Sequence, residues 1–166
     1  MGEYGGALRD LSAIELAAIA SRAAVDRSGL PVDAIEHTVI GNALQTSGDA
    51  IYGARHVALK AGLGIDKPAL TVNRLCGSGI QAIVSGAQMI QLGEAGAVLT
   101  GGMESMSQAP HVLRGARWGF RLGEGKLEDS LMVALLDTHC GYYMAQTAEN
   151  LATKYGISGK SRTSSR

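Results

Sequence analysis

Short apolar strands that alternate with amphipathic helices constrain this chain more than any other feature. Residues 11–27 place Ile14, Leu16, Ala17, Ala20, Ala24 and Val25 at helical spacing, with Ser12 set to cap and Glu15 three residues later to close a capping box. Ser28-Gly29-Leu30-Pro31 stops that helix, and residues 35–40 read as a short strand closed by Gly41-Asn42. The theme then repeats: a helix over 54–61 ending at Gly62, and a compact strand over 69–72 after Pro68. A third helix over 78–92 puts Ile80, Ile83, Val84, Ala87 and Ile90 on one face, and a buried strand over 95–100 ends in Gly101-Gly102. This order predicts an α/β fold, a mostly parallel sheet with helices on both faces.

After Gly102 the periodicity dissolves into a methionine-, glycine- and charge-rich stretch reaching about Asp129. It is too long for a simple connector, so about 104–150 is expected to be an inserted loop region, with helices over 130–136 and 147–155. The tail, 159–166, is polar and reads as structureless. Lysine plus arginine equals aspartate plus glutamate at 15 each, so no net field draws the chain to nucleic acid or to an anionic membrane. Its apolar runs stop well short of the roughly 18 residues of a membrane span, and the first residues carry no signal-peptide pattern. Those features lead to the expectation of a cytoplasmic protein.

The two cysteines are too few for a disulfide framework and sit in different settings. Cys76 lies in Asn73-Arg74-Leu75-Cys76-Gly77-Ser78-Gly79, between a predicted strand and a predicted helix. A thiol at a helix amino terminus meets unpaired backbone N–H groups and the positive end of the helix dipole, which favour thiolate and make Cys76 a candidate nucleophile. Gly77 and Gly79 leave room for an approaching acyl group, and nearby N–H groups suit an oxyanion. The competing reading of Cys76 is a buried, inert packing residue. A second rival occupies the same place: Gly77-Ser78-Gly79-Ile80-Gln81-Ala82 fits the dinucleotide pattern G-x-G-x-x-A, with Glu104 imitating the ribose-binding acid beyond the usual spacing.

The Cys76 segment resembles the nucleophile motif of thiolases, and more of the chain agrees. Residues 101–110, Gly-Gly-Met-Glu-Ser-Met-Ser-Gln-Ala-Pro, are similar to the thiolase segment after the fourth strand. Ala116-Arg117-Trp118-Gly119-Phe120-Arg121-Leu122-Gly123 resembles its loop region, and Thr147-Ala148-Glu149-Asn150-Leu151-Ala152 and Tyr155-Gly156-Ile157-Ser158 follow in order. The likeness runs from about Tyr4 to Ser158. It implies a layered thiolase-like fold and an acyltransferase that condenses two acetyl-CoA molecules or thiolyses a 3-ketoacyl-CoA through an acyl group on Cys76. Coenzyme A thioesters are then substrates, no metal or bound cofactor is implied, and full-length members are expected to be homo-oligomers. Matched positions give Gly77 and Met144 to substrate binding, the latter at the pantetheine pocket, and the Cys76 amide to an oxyanion hole.

Departures from the family pattern are equally informative. Tyr143 stands where a histidine is often found, which leaves its contact with coenzyme A open. Cys140 matches no catalytic cysteine, and His37, His56, His111 and His139 do not fall at the activating histidine, so all are read as structural or surface residues. Arg117, Trp118 and Arg121 fit coenzyme A contacts and packing roles about equally. The family's first strand, expected to be central in the sheet, is absent, as are the glycine-histidine-proline motif and the second cysteine of the second half. The resemblance therefore makes 1–158 an incomplete amino-terminal domain that is expected to be inactive alone, with a non-catalytic interaction module as the alternative. A one-base shift of reading frame after Ser158 accounts for the tail under one choice of codons.

Overall fold

The computed structural model describes residues 1–159 and forms two compact units, Met1–Ala109 and Pro110 onward. The expectations for the tail concern 160–166, outside the described residues, apart from Gly159.

The first unit runs α1 (Ala13–Ser28), β1 (His37–Gly41), α2 (Gly53–Lys60), β2 (Ala69–Val72), α3 (Ser78–Gln91) and β3 (Val98–Gly102). The predicted capping box closes α1: the Glu15 N–H donates to Ser12 Oγ at 3.2 Å while the Ser12 N–H donates to Glu15 Oε2 at 2.8 Å. At its other end Gly29 takes a left-handed φ of 68°, where a side chain would be strained. The three strands are parallel in the order β2-β1-β3, with Val39 opposite Leu70 on one side and Thr100 on the other. β1 is thus bonded directly to both neighbours, which corrects the expectation that the sheet lacks a central strand. A further strand has room only outside β2 or β3.

Alternation along β1 sends Ile40 into a cluster with Ala13, Ile14 and Ala17 of α1 and Ala54 and Val57 of α2. Gly41 points the other way, toward α3, and a Cβ there would lie 2.5 Å from the Ser78 carbonyl carbon. Helices therefore cover both faces, α1 and α2 on one and α3 on the other. The face of α3 that meets the sheet is not the predicted one. Ser78, Ala82 and Gly86, four residues apart, are its buried positions, and a Cβ on Gly86 would lie 2.6 Å from Thr100 Cγ2. Ile80, Ile83, Val84 and Ile90 are exposed instead. Close approach to the sheet selects small residues, so the larger apolar side chains point outward.

The second unit contains an antiparallel pair, β4 (His111–Leu113) with β5 (Leu127–Asp129), then α4 (Ser130–Ala134). A second pair, β6 (Leu136–Asp137) with β7 (Tyr142–Tyr143), leads into α5 (Met144–Tyr155). The helix expected over 130–136 ends early because Leu136 and Asp137 pair with Tyr143 and Tyr142. α5 begins at Met144, ahead of the expected start at 147. No helix among the described residues is long and apolar enough to cross a membrane.

Candidate nucleophile site

Between the end of β2 at Val72 and the start of α3 at Ser78 the chain makes a tight, bonded turn. The Gly77 N–H donates to the Arg74 carbonyl at 3.0 Å, and the Ser78 N–H to the Leu75 carbonyl at 3.1 Å. Asn73 Oδ1 accepts the Leu75 N–H at 2.9 Å. Leu75 has φ of 48°, the only positive φ of a non-glycine among the described residues. Cys76 follows it, exposed and with a free thiol, and Gly77 is the N-cap residue of α3. The turn thus places the sulfur at the amino-terminal end of a 14-residue helix, on the surface, and not in the buried setting of the competing reading.

The turn belongs to a rim where the carboxyl ends of three parallel strands meet, the usual place for a ligand site in such sheets. Glu104, just past β3, reaches the loop after β1: its Oε1 accepts from Asn42 Nδ2 and from the Leu44 N–H, each at 2.8 Å, and its Oε2 accepts the Ala43 N–H at 3.1 Å. Asn42 Nδ2 also donates to the Met103 carbonyl at 3.1 Å, and Asn73 Nδ2 to the Ala43 carbonyl at 3.2 Å. All three strand ends are tied together through the loop at 42–44. This role for Glu104 weighs against the acid of the dinucleotide reading, because both of its carboxylate oxygens are already engaged by the protein's own N–H groups. Sequence reasoning missed the clamp. Its available signal was an amide and a carboxylate each placed just beyond a strand end.

Tyr143 and Met144 lie in the second unit, Tyr143 at the N-cap of α5 and Met144 as its first residue, 41% and 50% exposed. The structure thus brings Cys76 and Gly77 together in one turn, and Tyr143 and Met144 together at one helix start. Cys140 is also free and exposed, with its thiol 3.9 Å from the Asp137 carbonyl. Trp118, in a short 3-10 turn with Arg117, is 89% exposed. His37 opens β1, at the end of the strand away from Cys76, and His56 Nδ1 lies 3.2 Å from Asp49 Oδ2. The Ser47 hydroxyl, and then His56, hold the Asp49 carboxyl below its ordinary value of 3.8. Two shallow grooves of about 150 and 240 Å³ run beside β3 along α1, and Cys76 lines neither.

Comparison with known proteins follows the same lines. Residues 1–164 match the family model described as thiolase, N-terminal domain. The human mitochondrial 3-ketoacyl-CoA thiolase is 52% identical over 158 residues, covering 95% of this chain and 40% of that protein. A beta-ketothiolase of Cupriavidus necator is 46% identical over 158 residues, with the same shares covered. The crystal structure of the human mitochondrial 3-ketoacyl-CoA thiolase in complex with CoA superposes with a TM-score of 0.94 at 51% identity, covering 96% of this chain and 41% of that one. The chain spans about 40% of the length of these curated relatives. The human relative's mitochondrial designation overturns the cytoplasmic expectation. Balanced charge and short apolar runs, from which that expectation was drawn, do not distinguish one aqueous compartment from another.

Proposed function

Because the chain belongs to the thiolase N-terminal domain family, we propose that it supplies the acyl-accepting half of an acyl-CoA acyltransferase, with Cys76 as the nucleophile. The observation that carries this reading is the free, exposed thiol of Cys76 at the start of α3. In the reaction, the Cys76 thiolate attacks the thioester carbonyl of acetyl-CoA and a sulfur–carbon bond forms. The carbonyl electrons collect on oxygen, then return to expel coenzyme A as its thiolate, which takes up a proton. The amides of Gly77 and Ser78 are already bonded within the turn, and the resemblance assigns the oxyanion role to the Cys76 amide. Gly77 keeps the approach open, and Met144 stands at the position that the resemblance gives to the family's pantetheine pocket. In the whole protein the acyl group then passes to a second acetyl-CoA carbanion, or the reverse thiolysis runs.

The loops around Cys76 contain no histidine, so the proton transfers of a full cycle fall outside them. This chain alone is expected to release one equivalent of coenzyme A from acetyl-CoA without turnover. Stopped-flow detection of the released thiol checks this. Loss of the release in Cys76→Ala supports the reading; release unchanged in that variant, or no release from the unmodified chain, contradicts it.

A second reading is an interaction module, favoured by the exposed Ile80, Ile83, Val84 and Ile90 of α3 and by the outer edges of β2 and β3, which have no strand partner among the described residues. Its partner would be an intact thiolase subunit. Failure of a full-length thiolase to retain the chain in a pull-down disposes of it.

A further inference from the structure

Leu75 pays for the geometry that presents Cys76. A leucine in the left-handed region is disfavoured by contact between its Cβ and the following carbonyl, and here the side chain is 69% exposed, so its own packing does not hold it there. Asn73 Oδ1 and the Ser78 N–H bond its own peptide groups, and a buried side chain three residues on adds two further bonds across the turn. Ser78 is 6% exposed, and its Oγ accepts the Arg74 N–H at 2.8 Å while donating to the Leu75 carbonyl at 2.7 Å. One hydroxyl therefore spans the turn, binding the Arg74 N–H ahead of the strained residue and the Leu75 carbonyl behind it. Gly41 of β1 lets this happen, since the backbone of Ser78 lies against it.

We propose that Ser78 is a positioning residue for the nucleophile: its hydroxyl holds Leu75 in the left-handed conformation and so fixes Cys76 at the start of α3. The inference rests on the reading of Cys76 as the acyl acceptor, but the geometry it predicts is measurable without catalysis. Removing the hydroxyl frees Leu75 to return to a negative φ and carries the thiol away from the helix end. The population shift set by a left-handed leucine's penalty is roughly tenfold.

The test is a double-mutant cycle with Ser78→Ala and Leu75→Asn, asparagine being a residue that tolerates the left-handed region. Two readouts are taken on the full chain: the sign of φ at position 75, from NMR chemical shifts and the one-bond Cα–Hα coupling, and the alkylation rate of Cys76 by iodoacetamide. Cys140 serves as the internal control. Ser78→Ala is expected to move residue 75 to negative φ and slow Cys76 alkylation about tenfold, with Cys140 unchanged. Leu75→Asn added to Ser78→Ala is expected to restore most of both. A loss of helix packing alone would not be rescued by an exposed residue. Positive φ retained in Ser78→Ala, or no recovery in the double variant, overturns the proposal. If Ser78→Ala does not fold, the double variant must; if it too fails, the proposal falls. Absence of coenzyme A release with these responses intact would instead remove the acyl-acceptor reading and leave the pin standing.

Discussion

The two units of this chain differ in what holds them together. In the first, the three helices and the three-stranded sheet enclose Ile14, Val39, Ile40, Val57 and Ala58, each no more than 1% exposed. In the second, Ala152 is the one buried apolar residue among those described, while Leu122 and Trp118 stand almost wholly in solvent. Hydrophobic burial is the main favourable contribution to folding, so the first unit carries its own stability and the second carries little. Cys76, the proposed nucleophile, sits on the unit with the core. A reacting group needs a rigid support, and the turn at Cys76 is braced by a buried serine, a close-packed glycine and a carboxylate clamp.

The contrast is open to challenge by substitution, starting with the heaviest blow. Ile40→Ala opens a cavity at the centre of the first unit and is expected to cost about 2–5 kcal/mol, read from the urea midpoint by circular dichroism. Gly41→Ala forces a methyl group against the Ser78 backbone and is expected to cost about 1–3 kcal/mol, with Cys76 alkylation altered as α3 shifts. Ser12→Ala removes the α1 cap, for about 1 kcal/mol by the same melt. In acid, Glu15 adds a smaller effect. Its bond to the Ser12 backbone N–H, then to the Ser12 hydroxyl, holds its carboxyl below the ordinary 4.5. The contribution is therefore fully present above about that pH and disappears as pH falls through the lower folded value. Glu15→Gln should flatten the acid limb of a pH–stability curve, and an unchanged limb would count against the assignment. Least of all, Leu122→Ala in the second unit should move the midpoint by no more than about 0.5 kcal/mol. A loss above about 1 kcal/mol would mean that this unit has a core of its own.

Local signals were legible in the sequence and long-range ones were not. Ser12 with Glu15, and Gly29 after Ser28, mark both ends of α1 because capping is settled within a few residues. Pro68 and the compact run that follows it mark β2 to the residue. Cys76 was visible because its setting, a strand, a glycine-flanked thiol and a helix, is continuous in the chain. The burial of α3 was misjudged because periodicity weighs size: it selects the isoleucines and valine, whereas the sheet admits only Ser78, Ala82 and Gly86. Glu104 escaped because its partners at 42–44 lie about 60 residues earlier. β6 and β7, at two residues each, are too short to leave a pattern.

Mass-spectrometric mapping of the acyl group after brief exposure to labelled acetyl-CoA tests the central claim most directly, because the chain offers two exposed free thiols and only one of them opens a helix. The account predicts the acetyl label on the peptide containing Cys76, with Cys140 unmodified. Label on Cys140 in preference to Cys76, or equal label on both, would contradict it.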